Sequence, residues 1–308
     1  MPTRRDVLKA AGALSAAILS REVRLAAQTQ PAPSRGMPRR LRSITYNVLA
    51  CMGYRKKNDQ RRSYRPAIPR DQMTARFALE LGLYQPDIVS FQESPGEQVV
   101  ADIAEKAGMR HHCFFHSGQA WPGAILSRYR IVEYQNCPLK SFAERPPDLF
   151  TRHWGRAVLE TDGGELVVYS AHLFPGDSSR RAPEVREMLE VMAADLQSGR
   201  SMLLQGDLNH KPDGPEYQRW TEAGLIDTFT AKGVGQPYTI PSHGVEARID
   251  YIWAHGPLAE HLSECRVLYE GAFRTNPDDP GSVALSDHVP VMATFEYQER
   301  TSRPSVPG

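Results

Sequence analysis

The 308-residue sequence has little cysteine, almost no net charge and no apolar run long enough to span a membrane. Its four cysteines, Cys51, Cys113, Cys137 and Cys265, match no zinc-binding spacing and are too few for a disulfide scaffold. Buried free thiols are at least as consistent with this pattern as disulfides. A formal net charge of +1 gives no global signal for a nucleic-acid or membrane partner.

The composition is that of an ordinary globular protein, with 41% hydrophobic and 24% charged residues. The length suits one large domain or two modest ones. Because no Pro/Gly-rich linker divides the chain after residue 40, we predict one domain over residues 41–298, followed by a tail at 299–308.

The N-terminus has the layout of an export signal. Arg4 and Arg5 precede a mildly apolar stretch at residues 10–19, and paired arginines in this setting resemble a twin-arginine signal. We predict a signal over residues 1–27, cleaved after Ala27, and a flexible leader over 28–40. The protein is then periplasmic or extracellular, with no transmembrane segment in the mature chain. The alternative is a basic, amphipathic start to a cytoplasmic protein.

Strand and helix patterns alternate along the rest of the chain. Predicted helices cover 73–83, 99–107, 182–196 and 215–223. Predicted strands cover 41–48, 87–93, 111–115, 124–126, 131–134, 155–160, 166–172, 248–253 and 289–295, with a further buried strand at 202–204. The mixture predicts an α/β fold.

The stretch SMLLQGDLNHKPD, residues 201–213, is typical of a buried strand that ends in a functional turn. We expect the chain to turn at Gly206 and to deliver Asp207 and Asn209 on one face, if the backbone stays extended. His210 and Lys211 follow directly. The alternative is a strand-to-helix turn in which the two polar residues only cap the next segment.

Polar residues recur at the ends of other predicted strands. The full set is Asn47, Glu93, His172, Asp207, Asn209, Asp250, Asp287 and His288. Each has an ordinary structural explanation as a turn residue, a cap or an interior histidine, and Asp250 could pair with Arg248. Together they predict a site. Oxygen donors suit Mg²⁺ rather than zinc, and histidines beside carboxylates suit proton transfer or charge stabilisation near pH 7.

The motifs ITYNVLA, PDIVSFQE, SAHL, GDLN, RIDYIW and SDHVPV, in this order, resemble the endonuclease/exonuclease/phosphatase superfamily. That group includes pancreatic-type deoxyribonucleases, abasic-site endonucleases, neutral sphingomyelinases and inositol-polyphosphate phosphatases. The resemblance extends over residues 41–295. It implies a four-layer α/β sandwich of two mixed sheets packed face to face, with helices outside and the site at one edge.

The resemblance also implies roles for the strand-end residues. Glu93 holds Mg²⁺ or Mn²⁺ with Asn47 and Asp287, and Asp207 with Asn209 positions the attacking water. His288, oriented by Asp250, contacts the phosphate, as does Arg156 in GRAVLE, and His172 matches the general acid of the deoxyribonuclease branch. Whether Asp207 or His288 is the base stays open. The sequence WPGAILS departs from the family pattern, which has asparagine before AILS in many members.

The expected function is that of a secreted, Mg²⁺-dependent, nuclease-like phosphoesterase, acting as a monomer on a phosphodiester or a phosphomonoester. The alternatives are a phospholipid or sugar-phosphate esterase of the same fold, or a binding protein that retained the fold without turnover. Eight basic residues against two acidic ones between Arg55 and Arg76 would suit nucleic acid or a phosphorylated head group. No aromatic-rich hairpin suggests membrane insertion.

Overall fold

The computed structural model describes residues 40–55, 69–279 and 281–297, which fall within one compact unit, residues 37–308. The strands are β1 Arg40–Asn47, β2 Ile88–Gln92, β3 His111–Phe115, β4 Gly123–Ser127, β5 Arg130–Asn136, β6 Trp154–Thr161, β7 Gly164–His172, β8 Ser201–Asp207, β9 Ile226–Asp227, β10 Gly233–Val234, β11 Asp250–His255, β12 Leu262–Val267 and β13 Val291–Glu296. The helices are α1 Arg70–Gly82, α2 Glu97–Lys106, α3 Ser178–Gln197, α4 Pro215–Glu222, α5 Thr228–Lys232 and α6 Pro257–Glu260, with 3₁₀ turns at Leu49–Cys51 and Gly271–Phe273.

The strands form two mixed sheets. The first has seven strands in the order β10-β12-β13-β1-β2-β4-β3, and the second has six in the order β5-β6-β7-β8-β11-β9. In the first sheet β1 runs parallel to β2 and antiparallel to β13. In the second, β8 runs parallel to β7 and antiparallel to β11. Consequently one edge of the fold holds the C-terminal ends of four strands, β1, β2, β7 and β8. The start of β11 and the segment before β13 lie at the same edge.

Apolar side chains from both sheets meet in one buried core. Leu203 and Ile252 of the second sheet pack in the same cluster as Ile44 and Phe91 of the first. Helices α1 and α2 add to this cluster, whereas α3 and α4 pack in a second cluster with the outer face of the six-stranded sheet. The predicted four-layer α/β sandwich is therefore confirmed.

A buried polar bridge ties the two sheets together between the apolar residues. Ser43 Oγ of β1 donates to Gln205 Oε1 of β8 at 2.7 Å, and Gln205 Nε2 donates to Ser90 Oγ of β2 at 2.5 Å. Because buried polar groups are costly unless paired, this bridge specifies the position of β8 across β1 and β2. It lies two residues before Asp207.

The structure corrects several local predictions. The chain does not turn at Gly206, because β8 continues through Asp207. Glycine is needed there because a Cβ atom would lie 1.8 Å from the carbonyl oxygen of Ala171. Helix α3 starts four residues earlier than predicted, since the Asp177 side chain caps it by accepting the Ser179 N–H. Strand β12, Leu262–Val267, was not predicted at all.

All four cysteines are free thiols, and three of them are buried. Among the residues that the structure describes, no helix has both the length and the apolar character needed to cross a membrane. Three predicted segments lie outside the described residues. They are the signal at 1–27 with the leader up to residue 39, residues 56–68 of the basic loop, and the tail at 299–308.

Candidate active site

The predicted strand-end residues converge because of the sheet topology. In the second sheet Asp207 lies opposite Asp250 on one side and beside His172 on the other. In the first sheet Asn47 pairs in register with Gln92, which directly precedes Glu93. The cavity at this edge, called here the strand-end pocket, has a volume of about 250 Å³. Its lining residues are Leu49, Glu93, Trp121, Arg152, His172, Pro175, Asp207, Asn209, Ile240, Ile249, Asp287 and His288.

Asp207 is the centre of the hydrogen-bonding network. Its Oδ2 accepts from Asn47 Nδ2 at 3.0 Å, and its Oδ1 accepts the N–H of Asn209 at 3.2 Å. The Nε2 atoms of His172 and His288 lie 3.5 and 3.7 Å from Oδ2. Burial, followed by repulsion from Asp250, raises the pKa of Asp207 to about 8. A carboxylate with a raised pKa is a stronger base than an ordinary aspartate.

His288 is held by Asp250. Its Nδ1 lies 2.9 Å from Asp250 Oδ2, which leaves Nε2 facing Asp207. Burial lowers the pKa of His288, but the neighbouring carboxylates Asp250 and Asp207 outweigh it and raise the pKa to about 10. His288 is therefore cationic near pH 7. The alternative pairing of Asp250 with Arg248 is wrong, since Arg248 forms its ion pair with Asp227.

His172 has the opposite electrostatic character. It is almost fully buried, and its Nδ1 has no hydrogen-bond partner among the described residues. Burial, then the positive charge of Arg152, lowers its pKa well below the usual value. The imidazole is neutral near pH 7 in the absence of substrate. The strand-end pocket thus combines one charged and one neutral histidine on either side of the same carboxylate.

The residues predicted to hold a metal fit a hard cation. Burial, followed by the charge of Asp287, raises the pKa of Glu93, and a hydrogen bond from Asn47 partly opposes this shift. Two carboxylates crowded at one point are stabilised by a divalent cation between them. Asn47 Oδ1 already accepts the N–H of Leu49 at 3.2 Å, so this residue orients the carboxylates and has a single lone pair left for a cation.

A second group of ligand-type side chains is close together. Donor atoms of Asp207, Asp250 and His288 all lie within 4.8 Å of one another. Because the hydrogen bond between His288 and Asp250 already occupies one atom of each, we interpret this group as a proton-handling triad. Glu93 and Asp287 line the same pocket, and their oxygen donors are of the type that a hard cation prefers.

Arg156 does not belong to this pocket. Its Nε lies 2.8 Å from Asp195 Oδ2, and its Nη1 lies 3.0 Å from Glu133 Oε1. In β6 it alternates with Ala157, which packs in the core between the sheets, so Arg156 faces helix α3. The predicted phosphate contact of Arg156 is therefore wrong.

Sequence reasoning missed the side walls of the pocket. Trp121 and Arg152 both line it, together with Leu49, Pro175, Ile240 and Ile249. Trp121 stands in WPGAILS, where the departure from the family pattern was a usable signal. Arg152 falls between the predicted strands at 131–134 and 155–160, in a segment rich in proline and charge for which no helix or strand was predicted. No pattern in that segment marks one arginine as different from the others.

The family assignment rests on the sequence. Residues 44–288 match the model of the endonuclease/exonuclease/phosphatase family. The chain belongs to this family.

Several solved structures share the fold. An endonuclease/exonuclease/phosphatase family protein from Bacteroides thetaiotaomicron matches with a TM-score of 0.63 at 17% identity, covering 85% of this chain and 100% of that one. A mannosyl-6-phosphatase from the same organism matches with a TM-score of 0.62 at 17% identity, covering 82% and 98%. Truncated Caenorhabditis elegans TDP2 matches with a TM-score of 0.57 at 16% identity, covering 84% and 98%. At these identities the likeness concerns the fold alone.

Proposed function

We propose that this family member is an exported, Mg²⁺-dependent phosphoesterase that hydrolyses a phosphodiester by in-line attack of water. The observation that carries the proposal is the strand-end pocket, in which Asp207 lies between a cationic His288 and a neutral His172. The carboxylates of Glu93 and Asp287 line the same cavity. The support for export is the N-terminal arginine pair followed by an apolar stretch.

In this proposal Asp207 is the base and His288 is the electrostatic stabiliser. His288 retains its proton near pH 7 and so cannot accept another. Asp207, with a pKa raised to about 8, accepts a proton only in its ionised form, which predominates above about pH 8 and whose two oxygens are oriented by hydrogen-bond donors. The N–H groups of His288 then donate to Asp250 and to a phosphoryl oxygen. A phosphate bound beside His172 would raise the pKa of this residue toward the range of a general acid.

Glu93 and Asp287, with Asn47, would hold the divalent cation. When bound, the cation supplies Lewis-acid polarisation of a phosphoryl oxygen. Asn47 has a separate function, since its amide donates to Asp207 and hydrogen-bonds Glu93, and so it fixes the separation of the cation site and the base.

The test is hydrolysis of bis-p-nitrophenyl phosphate by chelator-treated protein, with and without added Mg²⁺ or Mn²⁺. We expect release of nitrophenol only with metal. A protein that binds the metal but releases no product from this ester or from p-nitrophenyl phosphate would instead be a binding protein that retained the fold.

A sugar-phosphate esterase is the second candidate function. The pocket volume of about 250 Å³ suits a phosphoryl group with a small substituent. The fold neighbour named as a mannosyl-6-phosphatase makes sugar phosphates a useful part of a substrate panel with DNA, RNA and sphingomyelin.

For DNA, salt dependence separates a phosphate-backbone contact from a small ligand, since each contact adds roughly 0.9 to the log–log slope. Replacing Lys56, Lys57, Arg61 and Arg62 with alanine should flatten that slope if the basic loop binds DNA.

A further inference from the structure

The strand-end pocket has an apolar wall that the proposed mechanism does not use. The wall consists of Leu49, Trp121, Pro175, Ile240 and Ile249. Trp121, Ile240 and Ile249 keep part of their surface exposed, although they lie beside a centre of charged side chains. Apolar surface next to a few polar groups is typical of a pocket that also binds an apolar part of its ligand.

Trp121 is fixed beside the cation site by backbone hydrogen bonds. Its carbonyl oxygen accepts the N–H of His153 at 3.2 Å. The carbonyl oxygen of the next residue, Pro122, accepts the N–H of Ser94 at 2.8 Å, and Ser94 directly follows Glu93. The indole therefore has a defined position next to the segment that carries one of the proposed cation ligands.

The two isoleucines are fixed in the same way beside Asp207 and His288. The carbonyl oxygen of Ile249 accepts the N–H of Leu208, the residue after Asp207, at 2.9 Å. The residue before Ile240 accepts the N–H of the residue after His288 at 2.8 Å. The apolar wall is thus attached to the segments that carry the reacting groups, and a phosphate ester bound there would place its substituent against the wall.

We infer that Trp121, together with Ile240 and Ile249, binds a planar aromatic substituent of the phosphate ester and so determines substrate specificity. The inference rests on the proposed function, because the ester is the substrate of that reaction. An indole presents a flat surface on which another ring stacks, whereas sugar hydroxyls against this wall would lose their hydrogen bonds to water. Because the sequence WPGAILS departs from the family pattern at this place, the contact is a feature of this chain.

The size of the cavity agrees with such a ligand. A cavity of about 150 Å³ accepts a benzene-sized ring. The strand-end pocket, at about 250 Å³, therefore has room for one ring and a phosphoryl group. The substrate class is a phosphodiester with an aromatic ring on one ester group.

The binding experiment uses calorimetry in the presence of Mg²⁺ with methylphosphonate, cyclohexylphosphonate and phenylphosphonate, which carry the same charged group and no ester bond. The variants are Trp121→Ala, Trp121→Phe and, as a matched control, Phe142→Ala, which removes an exposed ring outside the pocket. We expect wild type to bind phenylphosphonate about 10-fold more tightly than methylphosphonate, with cyclohexylphosphonate between them. Trp121→Ala should lose this preference and Trp121→Phe should keep part of it. Circular dichroism verifies the folding of each variant.

The turnover experiment compares phenyl and methyl p-nitrophenyl phosphate, which release the same leaving group. The ratio of their kcat/KM values should fall about 10-fold in Trp121→Ala relative to wild type and stay unchanged in Phe142→Ala. Comparing ratios between proteins cancels the difference in intrinsic reactivity of the two esters.

Wild type without a preference for phenylphosphonate would overturn the inference, as would a folded Trp121→Ala variant that keeps the preference. Equal binding of cyclohexylphosphonate and phenylphosphonate would overturn the aromatic class of the substituent. If wild type shows the Trp121-dependent preference but hydrolyses neither diester with metal, the substituent site stands and the proposed function fails. Hydrolysis of both diesters without the preference would have the reverse meaning.

Discussion

Glu93 and Asn209 both have left-handed backbone conformations, with φ of 49° and 51°. Each follows a strand end, β2 or β8, and each lines the strand-end pocket. Non-glycine residues adopt this conformation at a cost of about 1 kcal/mol or more, which the surrounding hydrogen bonds must offset. For Asn209 these are a bond from its N–H to Asp207 and a bond from its Nδ2 to the carbonyl oxygen of Leu173 at 3.0 Å. We interpret the left-handed backbone conformation at these two positions as a means of directing the Glu93 and Asn209 side chains into the strand-end pocket.

The first prediction concerns Glu93→Gln. Removing one of two crowded carboxylates should lower kcat/KM for a model diester about 100-fold or more at limiting Mg²⁺. It should also abolish the rise in melting temperature that Mg²⁺ produces by binding the folded state. Without metal the melting temperature should be unchanged or higher, because the repulsion between Glu93 and Asp287 is relieved.

Glu97→Gln is the control, since Glu97 is exposed in the first turn of α2, four residues away. Wild-type turnover and a wild-type Mg²⁺ response in Glu93→Gln would show that the metal is held elsewhere.

The second prediction concerns pH and Glu184. Burial raises the pKa of this carboxyl from 4.5 to about 7, although the N–H groups of Phe174 and Phe150 oppose the shift. The folded protein holds this proton more tightly than the unfolded chain. The free energy of unfolding should therefore fall by roughly 3 kcal/mol as the pH rises from 4.5 through 7, with the full contribution present below that window.

Denaturant unfolding of wild type and Glu184→Gln at several pH values measures this difference. The glutamine does not titrate, so the variant should lack this part of the pH dependence, whatever constant cost the amide adds. Parallel curves for the two proteins would mean that Glu184 is ionised in the folded state.

Several site residues were predictable from sequence because each directly follows or precedes a strand pattern. Asn47, His172 and Asp207 end their strands where the apolar pattern stops, and all three lie at one edge of the fold. Arg156 was mispredicted because a motif position does not tell which face of a strand a side chain occupies. Arg152 was missed because its place in the pocket depends on tertiary contacts with Phe174.

At the scale of secondary structure, the pairing of β7 with β8 sets the position of Asp207, the proposed base. These strands run parallel with His172 beside Asp207, and their backbones approach closely at Ala171 and Gly206. The sequence correctly indicated that a glycine is needed at position 206, but it predicted a turn there. The structure shows that glycine is needed because a Cβ atom would overlap with the backbone of β7. Strand β12 was missed because a short alternating segment without turn signals is ambiguous by periodicity alone.

The third prediction follows from this contact. Gly206→Ala should destabilise the fold by roughly 3 kcal/mol or more, since the added methyl group meets a backbone carbonyl that cannot move without breaking the ladder. Gly82→Ala is the matched control, because nothing lies within 4 Å of its added Cβ atom at the end of α1.

Thermal unfolding of both variants measures the effect. Gly82→Ala should be neutral or slightly stabilising. A Gly206→Ala protein as stable as wild type would show that the strands can separate at this point, and the placement of Asp207 beside His172 would then not depend on close packing.

At the scale of the whole molecule, two sheets bring together residues that are far apart in sequence. The hydrogen bond between Asn47 and Asp207 joins residues 160 positions apart and crosses from one sheet to the other. The proposed base, Asp207, and the proposed cation ligand Asn47 therefore belong to different sheets. Their separation is maintained by the packed core and by the Gln205 bridge between them.

The fourth prediction concerns export of the whole chain. The N-terminal arginines resemble a twin-arginine signal, so replacing Arg4 and Arg5 with lysines should leave the protein in the cytoplasm with its leader attached. Cell fractionation and the mass of the recovered protein measure this. Processing and export of that variant at the wild-type level would exclude the twin-arginine route.

The sequence by itself determined the fold family, the positions of most strands along the chain and the identity of the strand-end polar residues. It could do so because apolar periodicity and strand termini are local properties of the chain. Only the tertiary structure decided that Asp250 pairs with His288 and not Arg248, that Arg156 faces α3, and that Arg152 lines the pocket. These outcomes depend on which strands and loop segments of the chain lie next to each other in the fold. They also depend on the burial of each side chain there and on the charges around it.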